Sequence, residues 1–186
     1  MLPAGARYLP NFIIQSDEEA LLGQIDNLPW LGDLKRRVQH YGYRYDHKAR
    51  RVTDNAYLGA LPSWLNDLST RLWEAAIFDA KPDQVIINEY LPEQGISAHV
   101  DCEPGVGDTI ASLSLGSACL MEFSSVRSGG SLTRLLEPQR LLVLQDEARF
   151  EWKHGIPARK SDVIEQQKVT LGRKVSLTFR TVVLAR

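Results

Sequence analysis

The second half of the chain limits the possible folds most. From residue 84 onward the sequence breaks into short alternating runs separated by glycine, proline and polar turns. Such runs read as strands at 84–90, 98–101, 109–115, 119–123, 140–144, 149–153 and 175–184, with Ser128-Gly129-Gly130 as a hairpin tip. Within 109–115, Ile110, Ser112 and Ser114 alternate with Ala111, Leu113 and Leu115, the period of a strand. Roughly eight short strands after two helices predict an α+β, mainly β fold: a jelly roll, or double-stranded β-helix, with the N-terminal helices packed on one sheet. Such a barrel has a mouth where a site can be built.

Ahead of the strands, residues 8–15 read as a short strand. A helix then starts at Ser16, where Ser16 and Glu19 have capping-box spacing and Leu21, Leu22 and Ile25 form the buried stripe; Asn27 and Pro29 end it. A second helix is expected over 63–77 behind Pro62, with Leu65, Leu68, Leu72 and Trp73 at helical spacing. Between them, 35–52 is the most basic stretch: Lys35, Arg36, Arg37, Arg44, Lys48, Arg50 and Arg51 surround alternating Tyr41, Tyr43 and Tyr45. It reads either as a nucleic-acid grip, with cations for phosphates and tyrosines for bases, or as a solvated strand pair whose tyrosines cover the core.

A net charge of -1 excludes a molecule that binds polyanions over its whole surface, so any nucleic-acid affinity must be local. With 186 residues, 44% of them hydrophobic, one domain is expected, with helices and a recognition lid over 1–80 and the jelly-roll core over 81–186. Cys102 and Cys119 form no disulfide framework, which points to a reducing cytoplasm. No apolar run reaches membrane-spanning length, the N-terminus has no signal-peptide pattern, and there are no internal repeats. A monomer without membrane attachment is expected.

His99-Val100-Asp101 places an imidazole and a carboxylate two residues apart, so both can face one metal from one strand end. His154, in Lys153-His154-Gly155-Ile156, is the best third ligand. Two imidazoles and one carboxylate leaving open positions suit a non-haem Fe(II) oxygenase. Taken alone, such a short motif is common by chance; its surroundings strengthen it. Lys174, Ser176, Thr178 and Arg180 are spaced by two, so all four share one face of the last strand. Cations and hydroxyls on the inner face of a barrel are costly without a buried anion, and a dicarboxylate such as 2-oxoglutarate would satisfy them. Asn88 and Tyr90, again two apart, can donate to carboxylate oxygens. The ordinary alternative is a polar strand face that meets water.

Together, Asn88-Glu89-Tyr90, His99-Val100-Asp101, His154-Gly155-Ile156 and the run from Lys174 to Arg180 resemble the AlkB family of Fe(II)/2-oxoglutarate dioxygenases. Gln39-His40-Tyr41-Gly42-Tyr43, Lys81-Pro82-Asp83-Gln84, the run from Ser112 to Ser117 and Pro157-Ala158-Arg159-Lys160 look most like the branch whose animal members hydroxylate a modified wobble uridine in tRNA. The further domains of those members, and a cysteine-rich zinc site after Arg180, have no counterpart in this sequence. The resemblance implies Fe(II), 2-oxoglutarate and O2, with His99, Asp101 and His154 as metal ligands. It places Arg180 on the 1-carboxylate and keto end with Asn88 near it, and Tyr90, Ser176 and Lys174 on the far carboxylate. The family usually has arginine where this chain has Lys174; lysine keeps the charge but loses the bidentate fork. Arg173 should point the other way, and Arg149 would support the metal-bearing strand. On the substrate side the resemblance implies Glu103, in the Gly-rich loop after Asp101, with Tyr41, Tyr43 and Arg44 from the lid.

The function implied is oxidative demethylation of alkylated bases in single-stranded DNA or RNA. Hydroxylation of a tRNA wobble uridine is the alternative, then an oxygenase on a protein or small molecule, and lastly a non-catalytic binding module.

Overall fold

The computed structural model describes residues 1–32, 34–46, 52, 56–101 and 105–184. Two antiparallel sheets face each other. The larger has the order β1-β8-β5-β12-β3-β2, formed by Ala6–Leu9, Leu141–Leu144, Ile110–Gly116, Lys174–Arg180, Gln84–Tyr90 and Val38–Tyr41. The smaller has the order β4-β9-β6-β7, formed by Ile96–His99, Trp152–Ile156, Cys119–Ser125 and Ser131–Leu136. A separate hairpin pairs β10 (Ser161–Ile164) with β11 (Gln167–Thr170).

Side-chain parity splits the core in two. On one face of the large sheet, Val85, Ile87, Leu113, Val143, Leu177 and Phe179 pack against Leu21 and Ile25 of α1 (Gln15–Asp26) and Leu65, Leu68 and Leu72 of α2 (Ser63–Glu74). On the other face, Tyr90, Ile110, Leu142 and Leu144 meet Met121, Phe123, Leu136 and Ile156 of the small sheet. β3 is therefore buried along its whole length, as a central strand covered on both sides must be. This is the expected jelly roll with helices on one sheet.

Several boundaries differ from expectation. α1 begins one residue before Ser16: Ile14 is its N-cap, and Asp17 accepts from the Ile14 backbone N–H at 3.3 Å, in place of a box between Ser16 and Glu19. β4 ends at His99, so Asp101 lies beyond the strand. Arg149 is not on a strand; it sits on the short helix α3 (Asp146–Phe150) that precedes β9. β12 stops at Arg180, short of 184. The aromatic stretch is a strand only to Tyr41, followed by a Tyr43–Tyr57 bridge.

Candidate metal centre and cosubstrate pocket

The register between β4 and β9 sets His99 directly across from His154, with ring centroids 4.6 Å apart. Pairing is irregular between Ile96 and His99, a bulge of the kind that re-aims a side chain at a strand end. Gly155 makes room for it: a Cβ there would come within 2.9 Å of the Ala98 backbone nitrogen and the Ile96 carbonyl oxygen. The His-Gly pair in the sequence thus supplies a ligand and the space for its partner strand.

Asp101 lies between the two imidazoles. Its Oδ1 is 3.8 Å from His99 Nε2 and its Oδ2 is 3.9 Å from His154 Nε2. One ligand atom from each residue lies within 4.8 Å of the others. His99 Nδ1 sits 2.8 Å from the Ser97 carbonyl, which can only accept, so Nδ1 donates there and Nε2 is the nitrogen turned toward Asp101. Burial pushes His154 down to about 4, which leaves it neutral near pH 7 as ligation requires. Burial also raises the Asp101 carboxyl, but Arg180 first, then His154, His99 and Arg149, outweigh that and hold it at about 2. Arg180 Nη2 donates to Asp101 Oδ1 at 2.6 Å.

The triad opens into a pocket of about 570 Å³, its mouth included, between the sheets. Asn88, Tyr90, Lys174, Ser176, Thr178 and Arg180 all line it, as the period of two predicted. Lys174 is 2% exposed. Its Nζ, and Nε and Nη1 of Arg180, have no hydrogen-bond partner among the described residues. Burial pushes the Lys174 ammonium below its ordinary pKa. Nearby, the hydroxyls of Ser112 and Ser176 are 2.7 Å apart. Two imidazoles beside a carboxylate fit a divalent iron, and orphaned cationic nitrogens in the same pocket fit a carboxylate-bearing cosubstrate.

The other singled-out residues that are described do not line this pocket. Arg173 points away from the pocket, donating to Glu89 at 2.7 Å and to Asp26 at 2.6 Å and 3.1 Å. Arg149 is buried and donates to the backbone carbonyls of Asp101, Val106 and Gly107, so it holds the segment that carries the carboxylate ligand. Tyr41 packs at the helical layer and does not line the pocket: it shares parity with Gln39, donates to its Oε1 at 2.9 Å, and meets Trp64 edge-on. Tyr43 packs at a tilt against Tyr57, ring centroids 5.2 Å apart, and the exposed Arg44 donates its backbone N–H to the Ala56 carbonyl. Glu103 and Cys102 lie outside the described residues, as do His47, Lys48, Arg50 and Arg51. The structure adds two neighbours not singled out from sequence: Tyr45, 5.3 Å from the Arg180 guanidinium, and Arg36, whose Nε donates to Asn88 Oδ1 at 2.9 Å. Their only sequence signal was membership of the basic, tyrosine-bearing stretch.

The sequence profile of the 2OG-Fe(II) oxygenase superfamily matches residues 24–180. The chain belongs to this superfamily. An Arabidopsis thaliana protein named alkylated DNA repair protein ALKBH8 homolog is 35% identical over 201 residues, covering 96% of this chain and 58% of its own length. The mouse tRNA (carboxymethyluridine(34)-5-O)-methyltransferase ALKBH8 is 34% identical over 206 residues, covering 97% of this chain and 31% of its own length. This chain therefore spans little more than half of one relative and less than a third of the other. The structure of OsALKBH1 shares the fold, with a TM-score of 0.74 at 18% identity over 97% of this chain and 98% of that one. That superfamily uses Fe(II), 2-oxoglutarate and O2, and the His99, Asp101 and His154 cluster of this chain is a set of ligands that fits the metal. No helix among the described residues is long and apolar enough to cross a membrane.

Proposed function

We propose that this dioxygenase oxidatively demethylates alkylated bases in single-stranded nucleic acid. The observation that carries the reading is the juxtaposition of the His99-Asp101-His154 cluster with the partnerless Lys174 Nζ and the free Nε and Nη1 of Arg180 in one pocket. Under this reading His99, Asp101 and His154 hold Fe(II). Lys174, with Tyr90 and Ser176, takes the far carboxylate of 2-oxoglutarate; Arg180, with Asn88, takes the near one. Bound together, iron, cosubstrate and O2 supply the oxidising power to hydroxylate a substrate carbon, with succinate and CO2 released. A hydroxylated N-methyl group is a hemiaminal that falls apart to formaldehyde and the restored base. The chain's own share is orientation and exclusion of water. Arg180 keeps Asp101 ionised, the Ser97 carbonyl orients the His99 ring with Nε2 toward Asp101, and Leu142, Leu144 and Met121 give the pocket an apolar wall.

A second reading, hydroxylation of a modified wobble uridine in tRNA, is favoured by the similarity to the mouse tRNA enzyme. In either case the base must leave its stack to reach the pocket. A single-domain monomer in the cytoplasm fits the fold and the buried free thiol of Cys119.

The test is anaerobic loading with Fe(II), then 2-oxoglutarate and O2, with a single-stranded oligonucleotide carrying 1-methyladenine. Loss of the methyl mass coupled to succinate is expected. Coupled turnover only with modified tRNA would move the assignment to the second reading.

A further inference from the structure

Residues 35–37 run beside the end of β3 as a strap leading into β2, and they are tied by four hydrogen bonds. Arg37 donates to both carboxylate oxygens of the buried Glu89, each at 2.8 Å. The Glu89 backbone N–H donates to the Arg37 carbonyl at 3.0 Å. Gln94 Nε2 donates to the Lys35 carbonyl at 2.9 Å. Arg37 and Arg36 turn to opposite sides of this strap. Arg37 reaches Glu89 on the side away from the pocket, while Arg36 reaches Asn88, and its guanidinium lies 5.9 Å from the Tyr90 ring centroid.

A guanidinium has only donors. The Asn88 atom it touches is therefore Oδ1, and the amide nitrogen with its two N–H groups is left for the pocket that Asn88 lines. The two orientations of a carboxamide are nearly the same in size and shape, so packing alone does not choose between them. With the carbonyl outward, Asn88 would set an acceptor against an anion. With the amide outward, it adds donors to the wall that carries the orphaned Lys174 and Arg180 nitrogens.

We propose that Arg36 is a positioning residue for the cosubstrate: it fixes the Asn88 carboxamide so that N–H groups face the 2-oxoglutarate carboxylate. This rests on the pocket being the 2-oxoglutarate site. The strap makes the device rigid, because its backbone is anchored to the strand that bears Asn88.

The experiment is calorimetric titration of 2-oxoglutarate into Mn(II)-loaded protein, which reads affinity without turnover. Arg36→Met should weaken binding about tenfold, the scale of a hydrogen bond to a charged group. Arg36→Lys, which can still donate to Oδ1, should stay within about threefold of wild type on the same scale. Arg36→Glu should weaken it most, because a carboxylate accepts from the amide and turns the carbonyl to the pocket. In an Asn88→Ala background, Arg36→Met should change affinity by less than about twofold, since their coupling is then already lost. Thermal melts check that each variant folds; should Arg36→Glu not, the cycle with Asn88→Ala decides. Equal losses in both backgrounds would make Arg36 a direct or long-range cation and overturn the proposal, as would an unchanged Arg36→Met. Wild type that takes up no 2-oxoglutarate is a different result, which overturns the pocket assignment and this inference with it.

Discussion

Lys174 carries an ammonium into the pocket with 2% exposure and no partner among the described residues. A buried unpaired charge destabilises the empty protein and waits for an anion. Lys174→Met should therefore raise unfolding stability by on the order of 1–3 kcal/mol while sharply raising the 2-oxoglutarate requirement. The pH dependence follows. Burial lowers the folded-state pKa below the ordinary 10.5, so the unfolded chain binds more protons between the two values. Wild-type stability should rise across that alkaline window relative to Lys174→Met, as read by paired melts; a constant difference would contradict the burial argument. At the metal centre, His99→Ala should abolish turnover with little change in melting temperature, because His99 is only part-buried at a strand end. Full residual activity would remove it from the ligand set. At this scale the sequence was most legible where period two applied: Lys174, Ser176, Thr178 and Arg180 do share the pocket. It was least legible for Tyr41, because parity on an edge strand does not say which face meets the site.

Among elements, Glu89 staples β3 to the strap and to the residue before β12 through Arg37 and Arg173, and Arg173 continues to Asp26 at the end of α1. The Arg37 hydrogen bond, then that from Arg173, holds the Glu89 carboxyl below its ordinary 4.5 against the effect of burial. The stability it contributes is present above pH 4.5 and is lost as pH falls through the lower folded value. Glu89→Gln should cost about 1–2 kcal/mol at neutral pH, with both arginines able to reach water, and its deficit should vanish in acid. A deficit that persists in acid, measured by denaturant titration, would mean packing rather than charge. The elements missed from sequence have physical reasons. The β10–β11 hairpin turns at Glu165 and Gln166, both with positive φ, where residues that usually announce such a turn are absent. α3 is only five residues long, too short for periodicity to register, so Arg149 was read into the following strand. The metal strand itself was displaced because the bulge before His99 interrupts alternation.

Over the whole molecule, two sheets and a helical layer build one pocket whose chemistry is set by few side chains. The jelly roll was legible because strand alternation, two helical stripes and turn residues agreed. The substrate side was not, because a net charge of -1 hides a local basic stretch, and residues 47–51 of it, with Lys48, Arg50 and Arg51, lie outside the described residues. Binding to a single-stranded oligonucleotide should weaken steeply with salt if that stretch grips phosphates. Affinity that is flat across salt concentration would favour a protein or small-molecule substrate. The central claim is that the triad and the cationic wall act together on 2-oxoglutarate. Its most direct test is Fe(II)-dependent succinate release in wild type beside Asp101→Ala and Lys174→Met. Succinate is expected from wild type, none from Asp101→Ala, and recovery of Lys174→Met only at high 2-oxoglutarate. Iron-loaded wild type that makes no succinate, or an Asp101→Ala variant that makes as much as wild type, would contradict it.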